Sequence, residues 1–97
     1  MPPKTREITL DTAQATLLAQ AIRSYAHAAF PAGGSECAQV SRSTLLDTAD
    51  VCASHRGGSL SLRRRQFPLL RAAVRWALSD EGPAEVNLPE DFESLLD

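Results

Sequence analysis

The sequence predicts a mainly α-helical fold with a minor β component, an α+β domain of three to four short helices covering a small sheet of short strands. Apolar residues recur at helical spacing in several segments, short alternating runs precede three of them, and proline or paired glycines mark the boundaries. A helical bundle joined by extended linkers is the alternative arrangement. At 97 residues the chain is expected to form one domain over 6–97, after a loose arm at 1–5 that holds two prolines and no apolar anchor. So short a chain has limited apolar area for a core, which favours a homo-oligomer.

Glu7-Ile8-Thr9-Leu10 alternates as a strand with one buried face does. Asp11 follows as a helix N-cap with Gln14 in the capping-box position, so a helix is expected from residue 12. Leu17, Leu18, Ala21, Ile22, Tyr25, Ala28 and Ala29 form its core stripe, and Pro31 with Gly33-Gly34 ends it. Residues 35–43 are polar and read as loop. A second helix, capped by Ser41 or Ser43, repeats the stripe with Leu45, Leu46, Ala49, Cys52 and Ala53, and Arg56-Gly57-Gly58 closes it.

Ser59-Leu60-Ser61-Leu62 alternates again before a third helix, expected from Arg64 or Arg65 to Ser79, with Pro68 near its first turn where a missing N–H costs little. Its apolar face holds Leu69, Leu70, Ala73, Val74, Trp76, Ala77 and Leu78. Glu85-Val86-Asn87-Leu88 alternates a third time, and Pro89-Glu90-Asp91 opens a last short helix through Phe92, Leu95 and Leu96. The three alternating runs suggest a repeat of strand, cap and helix at offsets of 52 and 78 residues. The first offset places Ile8 on Leu60, Gln14 on Gln66, Leu17-Leu18 on Leu69-Leu70 and Ala21-Ile22 on Ala73-Val74.

Arg6-Glu7-Ile8-Thr9-Leu10, the helix from Thr12 and the helix from Thr44 follow in an order that resembles the ribbon-helix-helix repressors over about the first 55 residues. The resemblance implies a polar strand face that reads the major groove. Here that face presents Glu7 and Thr9, with little basic character, and the loop between the helices is longer than the family's tight turn.

Net charge is only −2 but unevenly spread. Residues 56–75 carry Arg56, Arg63, Arg64, Arg65, Arg71 and Arg75 without an acid, whereas 80–97 is an acidic C-terminal segment without a base. At about 100° per residue Arg64, Arg71 and Arg75 fall at roughly 0°, 340° and 20°, one basic stripe opposite the apolar face. Arg63, Arg64, Arg65, Arg71 and Arg75 are therefore the candidate contacts for an anion, nucleic acid or acidic partner. The acidic segment pairing with that stripe, within one chain or across a dimer, is the plainer reading. Trp76 is the candidate dimer contact, since tryptophan often anchors interfaces.

His27, Cys37, Cys52 and His55 have the composition of a zinc site but not its spacing, so no metal is expected, and Cys52 reads as a small core residue. No nucleophile elbow or Cys-His signature is present, and neither glycine pair has the lysine of a phosphate loop. Catalytic residues and cofactors are not expected, and the chain reads as no enzyme. No segment approaches the roughly 20 apolar residues of a membrane span, and the polar N-terminus leads into no signal-like apolar stretch. A cytoplasmic, homo-oligomeric protein-interaction or regulatory module is the expected function; a nucleic-acid-binding regulator using the arginine face is the alternative.

Overall fold

Side chains alternate across a strand, so Ile8 and Leu10 point to the same face of one run, as Leu60 and Leu62 do in another. Burying both apolar faces together requires the two runs to lie side by side. They do so in the computed structural model, which describes residues 4–82, 86 and 88–96. Strand β1 (Thr5–Leu10) pairs antiparallel with β2 (Gly58–Arg63), Ile8 opposite Leu60. Between them run α1 (Thr12–Ala29) and α2 (Glu36–Ala53). After β2 come a 3₁₀ turn (Arg64–Gln66), α3 (Phe67–Leu78) and α4 (Asp91–Leu95). The fold is thus mainly helical with a minor sheet, two-stranded among the described residues.

The offset of 52 residues is the key to this architecture. It carries Ile8 onto Leu60, and those two residues face each other in the ribbon. A sequence displacement that maps one strand onto its own partner, with antiparallel register, is an approximate two-fold axis passing between Ile8 and Leu60. The burial pattern of the helices repeats with the same offset: Ala15, Leu18, Ala21 and Ile22 of α1 are buried, and so are their counterparts Phe67, Leu70, Ala73 and Val74 of α3. The order strand, helix, helix therefore occurs twice in one chain, with the second copy ending in the five-residue α4. Residues from β1, β2 and all four helices share one core with Val86 and Leu88.

Caps explain where the two copies differ. Asp11 Oδ1 accepts from the Gln14 backbone N–H at 2.7 Å and Gln14 Oε1 accepts from the Asp11 N–H at 2.9 Å, so α1 starts at once. At the equivalent position Arg63 has no acceptor to offer. Gln66 still reaches back, its Oε1 accepting from the Arg63 N–H at 2.8 Å, but the chain takes a 3₁₀ turn first and α3 begins at Phe67, later than Arg64 or Arg65. Pro68 then occupies the first turn of α3.

Three further departures have physical reasons. Residues 36–43 are helix rather than loop, because Ser35, ahead of both expected caps, accepts from the Ala38 N–H at 3.2 Å. The apolar stripe of α1 is centred on its alanines: Ala15, Ala19 and Ala26 are buried, while Ala28 and Ala29 are exposed. Thr5, assigned to the loose arm, pairs with Arg63; residues 1–3 lie outside the described residues. Of the third alternating run, Val86 and Leu88 are buried and pair with no strand, and Glu85 and Asn87 lie outside the described residues. Gly57 and Gly58 carry φ of 105° and 90°, left-handed backbone that a side chain would strain, and this turns the chain from α2 into β2.

Gln66 also ties the ribbon to α2. Its Nε2 donates to Thr48 Oγ1 at 2.6 Å, and this buried hydroxyl donates to the Thr44 carbonyl at 2.8 Å. Gln66→Ala leaves both Thr48 and the Arg63 N–H short of a partner. Urea unfolding is expected to show a loss of roughly 1–3 kcal/mol.

Candidate functional site

The ribbon's inner face is apolar and its outer face is polar. Thr5, Glu7 and Thr9 point outward from β1, and Ser59, Ser61 and Arg63 from β2; all six are exposed. Thr5 faces Arg63, Glu7 faces Ser61 and Thr9 faces Ser59. Glu7 Oε2 accepts from Ser59 Oγ at 3.3 Å across the diagonal. Among the described residues no helix covers this face.

One end of the ribbon is strongly basic. The Arg64 N–H donates to the Lys4 carbonyl at 2.9 Å, extending the ladder one step past Thr5 and Arg63. That bond brings Lys4 beside Arg63, Arg64 and Arg65, all four exposed. Lys4, Thr5, Arg63 and Arg65 line an open groove of about 570 Å³. No acid lies in the first turn of α3, whose positive dipole end adds to the same charge. At the other end Arg56 is exposed, and the two-fold offset maps it onto Lys4. His55 pins that end. Its Nε2 lies 3.1 Å from both the Leu10 and the Gly58 carbonyls, so Nε2 carries the proton and shares it between the strands.

The five arginines singled out in the sequence do not share one set of partners. Arg63, Arg64 and Arg65 lie at the ribbon's end, whereas Arg71 and Arg75 turn toward α4. Arg71 Nε donates to the Leu96 carbonyl at 2.8 Å, and Arg6 Nη1 donates to the same oxygen at 3.2 Å. Both guanidiniums lie over the buried Phe67 ring, 5.0 Å (Arg6) and 5.9 Å (Arg71) from its centroid. Arg75 forms an exposed ion pair with Glu93 at 3.5 Å. The acidic segment thus engages Arg75, and the chain's last turn engages Arg71. Trp76 is half-buried against Tyr25, centroids 5.7 Å apart, and Tyr25 meets Phe30 edge-on.

Sequence reasoning misses Lys4, because nothing in the linear sequence joins it to residues 63–65. The signal that could have found it is the repeat offset, which fixes the strand register once the runs are taken to pair.

Both cysteines are free thiols, Cys37 exposed and Cys52 buried. Burial pushes the Cys52 thiol up from 9.0 to about 11, with Arg23 pulling slightly the other way. A thiol reagent at pH 8 is expected to modify one cysteine in the folded protein and two in denaturant. The charged form of Cys52 is disfavoured only when folded, so its contribution to stability is intact below pH 9 and lost as the pH rises toward 11. Among the described residues no three His, Cys, Asp or Glu side chains come together as metal ligands, and no helix is long and apolar enough to cross a membrane. Comparison with family models, with curated proteins and with solved structures gives no match to this chain.

Proposed function

We propose that this protein acts by association, binding double-stranded DNA through the outer face of the β1–β2 ribbon. The observation that carries the proposal is the uncovered polar face of a two-stranded ribbon, flanked by Lys4, Arg63, Arg64 and Arg65 at one end and by Arg56 at the other. The major groove of B-form DNA, about 12 Å wide, admits a two-stranded ribbon. The deep, narrow major groove of A-form RNA does not. The basic ends fall where the phosphate backbones border the groove. Arginine suits such contacts because its planar fork binds phosphate oxygens in pairs. The six outward side chains all carry hydrogen-bonding groups and can meet base edges. Arg71 and Arg75 take no part in this surface.

Fluorescence anisotropy with a dye-labelled mixed-sequence duplex tests the proposal. With Arg63 at a base edge, phosphate contacts from Lys4, Arg56, Arg64 and Arg65 lead to a fall in affinity on the order of 10²-fold between about 50 and 200 mM salt. Absence of binding at the lower salt, or binding indifferent to salt, contradicts it.

A protein partner is the second reading, and a specific observation favours it. Val40 and Val51 are 65% and 46% exposed, and they lie three helical turns apart on one face of α2. A second copy of the chain would use a face such as this one, since the ribbon is already complete within one chain.

A further inference from the structure

We infer that the DNA this protein recognises is non-palindromic, read in a single orientation by one copy of the chain. The inference rests on the duplex-binding proposal and concerns the symmetry of the target. Two identical chains that form a ribbon across a two-fold axis present the same side chains in both directions, and their target repeats with the same symmetry. Here the axis between Ile8 and Leu60 relates two different strands of one chain.

The 52-residue offset shows what the duplex would meet on each side of that axis. Glu7 maps onto Ser59, Thr9 onto Ser61 and Asp11 onto Arg63. Only the Thr9 and Ser61 pair keeps its chemistry, a hydroxyl that both donates and accepts. Glu7 accepts only, where its counterpart Ser59 can also donate. The contrast is sharpest at the ends of the ribbon. Arg63 offers a fork of donors, suited to the O6 and N7 acceptors of guanine. Its counterpart Asp11 is an acceptor already engaged by the Gln14 N–H in the cap of α1. The charge follows the same asymmetry, with four bases at the Arg63 end and Arg56 at the other. A palindrome would satisfy one end and mismatch the other, so the better target carries guanine on one flank and lacks it at the mirrored position.

Selection from a pool of duplexes with a randomised central region, using the full chain, tests this. Stoichiometry on the enriched duplex is then measured by sedimentation, and the selection is repeated with Arg63→Ser. The Arg63 side chain is exposed and its backbone N–H supplies the bond to Gln66, so circular dichroism should match the parent. The expected result is an asymmetric motif, one chain per duplex, and a preference relaxed by about tenfold or more at one flank only in the variant. A palindromic motif, two chains on inverted half-sites, equal relaxation at both flanks, or duplex binding without any enriched sequence each overturns the inference while leaving duplex binding standing. Failure to bind any duplex overturns the functional reading itself, and the inference falls with it.

Discussion

Replacing Arg63, Arg64 and Arg65 together with alanine is expected to weaken duplex binding on the order of 10²-fold at about 0.1 M salt. The dependence of log K on log salt should flatten by about 1.8, since Arg64 and Arg65 contact phosphate and each lost phosphate contact removes roughly 0.9 from the slope, while loss of Arg63 removes a base contact. Both effects follow from exposure. These three side chains end in solvent beside Lys4, so the substitution removes charge from the surface without opening the core. Arg71→Ala combined with Arg75→Ala makes the contrasting variant. It removes as much charge per residue, but from side chains held by the Leu96 carbonyl and Glu93. Its cost should appear in stability, through α4, with the salt slope nearly unchanged. Loss of binding in proportion to the charge removed, three arginines against two, would mean that net charge alone, and not its placement at the ribbon's end, governs the interaction.

Leu18→Ala and Leu70→Ala are each expected to lower the unfolding free energy by about 3 kcal/mol, within the range for a buried leucine. The two residues are counterparts across the approximate two-fold axis, and each is 0% exposed. For a small domain this is a large share of the total stability. Because both halves contribute to one core, each variant should still unfold in a single transition. Trp76 reports on α3 in the second half, whereas far-ultraviolet circular dichroism reports on all helices, and α1 and α2 supply most of their length. Coincident urea curves from the two probes are the expected result for either variant. Separate midpoints would show that the two strand-helix-helix units are independent bodies.

Much of this architecture was legible because local signals and tertiary demands agreed. The Asp11–Gln14 box marked the start of α1 to the residue, and the alternation in 7–10 and 59–62 marked both strands. Agreement failed where a helix buries little. The first half of α2 shows Cys37 and Val40 to solvent, so its apolar residues trace no stripe, and the polar composition of 36–43 suggested a loop. The start of α3 lies beyond the expected residues because a row of arginines disguises the missing acceptor at residue 63, which the 3₁₀ turn answers.

The candidate site was half legible for a related reason. A helical wheel over 64–75 groups Arg64 with Arg71 and Arg75, but it assumes one unbroken helix. Once the turn at Arg64–Gln66 interrupts it, the first group stays with the ribbon and the second goes to α4. The repeat carried more information than the charge pattern. Its 52-residue offset holds the strand register, and through the register the pairing that gathers Lys4 with residues 63–65. Chain length suggested a second copy to complete the core, and the repeat shows how the chain completes its ribbon alone.

The most direct measurement of the central claim is the amide spectrum of isotope-labelled protein titrated with the anisotropy duplex at low salt. The largest shifts are expected at Thr5, Glu7, Thr9, Ser59, Ser61 and Arg63, with Val40, Asp47 and Val51 of α2 unmoved. Shifts confined to the outer face of α2, with the ribbon unchanged, would contradict the account.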